Sequence, residues 1–157
     1  MAQEFIKEFG KKLEEEYSLS SYRRIFYNIN FQDCLKIINY KDVKIIERKC
    51  EPGYYMNWHI DRTNVIKRNN KQFIYPEING KHLFYESNKY LIYHKEILPS
   101  YTGIYYEGYF EGGELCFLDC KIKTFNKMFI LFDSREVHSV LLQKSGQRNI
   151  KLCLFYE

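Results

Sequence analysis

The sequence predicts a mainly β domain, α+β in class, built as a sandwich or barrel with helices buttressing one sheet. Three observations carry this expectation. From Val43 onward, apolar residues recur with a period of two instead of the helical 3.6. Turn-forming clusters interrupt that pattern at short intervals: Glu51-Pro52-Gly53, Glu111-Gly112-Gly113, Asp133-Ser134-Arg135 and Lys144-Ser145-Gly146. The chain also carries 15 Tyr and 12 Phe beside a single alanine, Ala2, a composition that favours sheets over a helical bundle.

The remaining composition narrows the class. A chain of 157 residues is the size of one domain, so the expectation is a single unit over 1–157. With 45% hydrophobic and 28% charged residues, it is not a disordered or low-complexity chain. No uninterrupted apolar run exceeds that of Met128–Phe132, far too short to span a membrane. A net charge of +4 does not by itself argue for nucleic acid. The N-terminal residues lack a signal-peptide-like apolar stretch, so a reducing cytoplasm is the expected location. Five cysteines without CxxC spacing are then expected to be free thiols.

Taken in order, residues 1–41 read as helical support. Phe5, Phe9, Leu13 and Tyr17 form one apolar stripe, and Asn30 is placed to cap a second helix through Phe31, Leu35 and Ile38. The core over 42–157 reads as short strands at Val43–Cys50, Tyr54–Asp61, Thr102–Tyr106, Glu114–Leu118, Met128–Phe132, Glu136–Leu142 and Arg148–Tyr156. An insert over 62–100 breaks the rhythm. Between Arg62 and Lys95 it holds seven basic residues against two acidic ones, a surplus larger than that of the whole chain. It reads either as a solvated excursion or as part of a substrate rim. Its histidines, His82 and His94, read as ordinary surface or pocket residues.

Four residues carry candidate chemistry. His59 and Asp61 are two apart on a strand, so imidazole and carboxylate project from one face. Such groups are costly to bury unless they hold a metal or pair with another charge. His138 offers a second imidazole from a later strand. Two histidines and one carboxylate leave three metal positions open, an arrangement suited to non-haem Fe(II) that binds a co-substrate and oxygen. Arg148 opens the last strand, where an inward guanidinium can hold a carboxylate by two parallel hydrogen bonds. Strand parity then turns Val140 and Leu142 inward with His138, and Ile150, Leu152 and Leu154 inward with Arg148.

Several strings together resemble the iron(II)- and 2-oxoglutarate-dependent dioxygenases of the prolyl/lysyl hydroxylase type. Glu51 to Asp61 looks like the first metal-binding strand of that family. Thr102 to Tyr106 and Phe110 to Phe117 resemble its central hairpin, and Asp133-Ser134, His138 and Gly146-Gln147-Arg148 its closing motif. The resemblance runs from about Asn30 to the end of the chain. It implies a double-stranded β-helix, or jelly roll, with the metal at one open end. By position, His59, Asp61 and His138 would be the Fe(II) ligands. Arg148 and Tyr106 would take the distal carboxylate of 2-oxoglutarate, and Ile104, Leu115, Val140 and Leu154 would line its pocket. The implied activity is hydroxylation of a C–H bond with O2, releasing succinate and CO2.

Cys50 departs from the family pattern, which often has Tyr there; Tyr55 and Asn57, sharing the face of His59, are candidates to replace it. The substrate the resemblance favours is a peptidyl prolyl or lysyl side chain, with a peptide or protein as partner. A small metabolite or nucleic acid are alternatives, nucleic acid disfavoured because position 154 is Leu where that branch carries a second arginine. A non-catalytic β-helix binding module is the competing class.

Overall fold

The computed structural model describes residues 11, 22–59, 61, 63–68, 71–78, 81–82 and 99–157, with backbone alone across 63–82. Its elements are β1 (Arg24–Phe26), α1 (Phe31–Cys34), β2 (Asp42–Cys50), β3 (Met56–His59), β4 (Thr63–Arg68), β5 (Lys71–Ile78), β6 (Lys81–His82), β7 (Tyr101–Gly112), β8 (Leu115–Phe117), β9 (Lys121–Ile122), β10 (Met128–Asp133), β11 (His138–Val140) and β12 (Gln143–Tyr156). All described pairings are antiparallel. They form a five-stranded sheet in the order β1-β10-β7-β12-β2, a four-stranded sheet β3-β11-β8-β9 and a three-stranded sheet β4-β5-β6.

Strand β10 shows why the five-stranded sheet is central. Every residue of Met128–Asp133 is buried, so both of its faces are covered. Met128, Ile130 and Phe132 pack with Ile104 and Tyr106 of β7 and with Leu115 and Phe117 of the four-stranded sheet. Phe129 and Leu131 point the other way, into a second core with Cys34, Tyr105, Cys153 and Phe155, closed by Phe31 and Leu35. The period of two thus sorts alternate residues into two cores. At roughly 1.5–3 kcal/mol for each fully buried Phe, Leu or Ile side chain, this double burial anchors β10 from both faces.

Several expectations need correction. The second helix starts where predicted, with Asn30 at its N-cap, but Asn30 makes no side-chain cap bond and the helix ends at Cys34. Leu35 and Ile38 still pack against the sheet, so the apolar spacing reports burial without a continued helix. The stripe Phe5 to Tyr17 lies outside the described residues. Part of the insert is regular: β4, β5 and β6 form an antiparallel meander, with Thr63 opposite Pro76 and Glu77 opposite His82. Residues 83–98, His94 among them, lie outside the described residues, as does the side chain of His82. Lys144 to Gly146 is no turn. The strand runs through it with a register shift between Gln143 and Ser145, and Gly146 sits at φ +83, a value an L side chain rarely adopts. Strands β1 and β9, only three and two residues long, carry too few positions for a visible alternation. Among the described residues no helix is long and apolar enough to cross a membrane. All five cysteines are free, with Cys34, Cys50 and Cys153 buried.

Candidate metal centre

Antiparallel pairing of β11 with β3 sets His138 directly opposite His59. Their rings stand 4.1 Å apart, centroid to centroid. Asp61 lies just past the end of β3. Its Oδ1 is 3.5 Å from His59 Nε2 and its Oδ2 is 3.5 Å from His138 Nε2. One donor atom from each of the three side chains falls within 4.8 Å of the others.

The outer nitrogens settle what the inner ones offer. His59 Nδ1 bonds to the Asn57 carbonyl at 2.8 Å, and His138 Nδ1 to the Glu136 carbonyl at 2.9 Å. A carbonyl only accepts, so each Nδ1 carries the proton, and a neutral ring presents Nε2 as a lone pair. His138 is buried, walled by Phe132 at 4.7 Å and Phe117 at 6.2 Å between ring centroids. Burial, reinforced by His59 and only partly opposed by Asp61, holds its pKa down to about 4. The buried His138 ring therefore turns an Nε2 lone pair toward the Asp61 carboxylate, so two electron-rich groups face one another. A cation resolves that repulsion. Two nitrogens and one carboxylate form a donor set that suits a first-row transition ion, Fe(II) included, and the carbonyl-anchored Nδ1 atoms are the usual outer support of such ligands.

These residues open on a cavity of about 220 Å³. Its lining also includes Arg148, 1% exposed. Arg148 donates from Nη1 to the Gly113 carbonyl at 2.9 Å, while its buried Nε has no hydrogen-bond partner. The rings of Tyr54, Tyr106 and Phe110 lie 5.6, 6.0 and 5.4 Å from its guanidinium carbon. Among the described residues no carboxylate forms an ion pair with it. A buried cation without a counter-charge is costly, which makes the space beside Arg148 suited to an anion. Tyr106 beside it is buried, and desolvation raises its pKa even though Arg148 pulls the other way. The phenol stays protonated and remains a donor. A larger, more open cleft of about 750 Å³ lies along residues 108–112 and 123–126. Among the described residues the only metal-type cluster is His59, Asp61 and His138, and it lines the smaller cavity.

Of the pocket residues implied by resemblance, Ile104, Tyr106 and Val140 line the cavity with the three candidate ligands and Arg148. Leu115 and Leu154 do not. Leu115 is buried in the core between the two sheets, and Leu154 lies one alternation beyond Leu152 on β12, opposite Thr102. Tyr55 and Asn57 are exposed, and the wall carries Tyr54 and Met56 in their place. A register irregularity between β3 and β11 is the reason. Met56 pairs with Val140 and His59 with His138, so residues three apart share a face and simple parity fails. Ile150 and Leu152 follow the parity of Arg148 as expected, whereas Leu142 is half exposed. Sequence reasoning passed over Thr102, which donates to Asp61 Oδ2 at 2.9 Å, because a lone Thr in a strand carries no signal. Arg23, paired with the buried Glu136, was passed over too, since a lone arginine outside any motif carries no signal.

No protein-family model matches the sequence, and no curated protein matches it. Among solved structures the chain is similar to a prolyl 4-hydroxylase of Pseudomonas putida, with TM-score 0.50 at 12% identity, over 99% of this chain and 83% of that one. A viral collagen prolyl hydroxylase of Paramecium bursaria Chlorella virus-1, solved with 2-oxoglutarate, gives TM-score 0.46 at 14% identity, covering 96% and 91%. At such identity the first likeness speaks for the fold alone: the chain shares the antiparallel, mainly β architecture of a bacterial prolyl 4-hydroxylase.

Proposed function

We propose that this chain is an Fe(II)- and 2-oxoglutarate-dependent dioxygenase on a double-stranded β-helix, hydroxylating a C–H bond. One observation carries the reading. The three converging donors His59, Asp61 and His138 share a single small cavity with Arg148, a buried cation lacking a described carboxylate partner. A candidate metal site and a guanidinium without a described carboxylate partner in one cavity would suit a small co-substrate that chelates through one end and carries a carboxylate at the other.

The residues have separable tasks. His59, Asp61 and His138 would hold Fe(II), with Nδ1 of each ring anchored so that Nε2 stays aimed inward. Arg148 would take the distal carboxylate of 2-oxoglutarate, and Tyr106 would donate its phenolic proton to the same group. Ile104, Val140, Ile150 and Leu152 would give the cavity an apolar wall. Iron held there would supply the oxygen chemistry that couples decarboxylation of the co-substrate to hydroxylation. A volume of about 220 Å³ falls below the roughly 300–1,000 Å³ of pockets for drug-sized ligands. The co-substrate would fill it, and the target side chain would meet the metal at the mouth.

The first-choice target is a prolyl or lysyl side chain of a peptide, a choice supported by the resemblance in the motifs. Succinate release from 2-oxoglutarate against a panel of Pro- and Lys-containing peptides tests it. Anaerobic titration with Fe(II), with and without 2-oxoglutarate, tests the chemistry itself: the visible band of the chelate is expected in wild type and absent in Asp61→Ala. A well-folded wild type that binds neither would leave the binding-module class in its place.

A further inference from the structure

We infer that Thr102 and Ser134 form a directed hydroxyl pair that positions Asp61 as a metal ligand, a role no motif of the sequence assigns. The inference rests on the metal reading above. Asp61 lies past the end of β3, where strand pairing no longer fixes it. What holds its carboxylate comes from the opposite sheet: Thr102 of β7 reaches Oδ2 at 2.9 Å, and Ser134 Oγ lies 2.8 Å from Thr102 Oγ1. Both hydroxyl residues are 0% exposed.

The direction of the pair follows from proton counting. An ionised carboxylate only accepts, and Thr has one hydroxyl proton, so that proton lies on the bond to Asp61. Thr102 Oγ1 can then only accept from Ser134, and Ser134 must be the donor. Ser134 is itself held, its backbone N–H donating to the Ser100 carbonyl at 3.1 Å. The chain Ser134 to Thr102 to Asp61 therefore has one orientation. It occupies a lone pair of Oδ2, the oxygen nearer His138, and leaves Oδ1, 3.5 Å from His59 Nε2, free of that bond. The carboxylate is thereby steered toward one-oxygen ligation, which keeps coordination positions open for co-substrate and oxygen.

Thr102→Val keeps the shape and removes the hydroxyl; Thr102→Ser restores it. Affinity for Fe(II) under anaerobic conditions, and the visible spectrum of the Co(II)-loaded protein, are measured for both alongside wild type. Thr102→Val is expected to bind metal about 10–100-fold more weakly, the usual effect of losing an outer partner of a ligand, with an altered Co(II) spectrum. Thr102→Ser is expected within about threefold of wild type, since it keeps the donor. Thr102→Val binding as wild type does, or Thr102→Ser as weak as Thr102→Val, overturns the inference alone. A wild type that binds neither ion overturns the metal reading and the inference with it. Where Thr102→Val does not fold, Ser134→Ala carries the test: weaker binding by about 3–10-fold supports the pair, and unchanged affinity overturns it.

Discussion

The Arg148 guanidinium donates to the carbonyl of Gly113 at 2.9 Å and also occupies the space that a side chain at Gly113 would need. A Cβ built on Gly113 collides with Nη1, and the residue sits at φ +70, in the left-handed region. The turn and the placement of the guanidinium are therefore one construction, with glycine making room for the cation its own carbonyl holds.

Gly113→Ala is accordingly expected to displace Arg148 and weaken 2-oxoglutarate binding. Losing one hydrogen bond to a charged group costs about 1.5–3 kcal/mol, so affinity should fall about ten- to a hundredfold. Calorimetric titration of 2-oxoglutarate into the Mn(II)-loaded protein measures this. An unchanged dissociation constant would show that Arg148 is not the anion's partner.

Tyr54, and neither Tyr55 nor Asn57, faces the cavity, with its ring 5.6 Å from the Arg148 guanidinium carbon. Tyr54→Leu removes a cation–π contact of about 1 kcal/mol and should weaken 2-oxoglutarate about fivefold. Tyr55→Leu, at an exposed position, should leave binding alone. Equal effects of the two substitutions would count against this assignment.

Stability of the metal-free protein should depend on pH through His138. Its folded pKa of about 4 lies below the ordinary 6.5, chiefly because burial disfavours the charged ring. Between these values the unfolded chain binds a proton that the folded one refuses, so stability falls as pH falls, levelling off below about 4. The total is on the order of 3 kcal/mol. Urea unfolding of chelator-treated protein between pH 7 and 4 reads the slope, which His138→Leu should reduce; equal slopes in the two proteins would refute the assignment.

Arg23 bridges Glu136 and Asp119, with its guanidinium carbon 3.9 Å from the centre of the Phe117 ring. Glu136 is fully buried and its carbonyl accepts the Nδ1 proton of His138. Removing one member of a buried ion pair is expensive, so Arg23→Ala should destabilise the fold by about 3 kcal/mol in denaturant titration. Metal affinity should also fall, because the segment that presents His138 loses its clamp. A loss of stability without any change in metal binding would confine Arg23 to folding.

The alternation of β12 was readable because that strand is long and regular beyond its bulge: Arg148, Ile150 and Leu152 face one way, while Cys153 and Phe155 enter the other core. The same reasoning misplaced Tyr54 and Met56, since an irregular register beside His59 shifts the phase of the pattern. It also made a turn of Lys144 to Gly146, where glycine permits a bulge within a continuing strand. Bulges depend on what the partner strand does, and no local window of sequence contains the partner.

By itself, then, the sequence determined the mainly β character and the positions of two imidazoles, a carboxylate and a guanidinium, because strand periodicity and residue chemistry are local properties. Only the tertiary structure decided that His59 faces His138, that Thr102 and Ser134 hold Asp61, and that Gly113 cradles Arg148. Each of those relations joins residues far apart in the chain. They arise from strand register and the packing of two sheets, which the whole chain sets together.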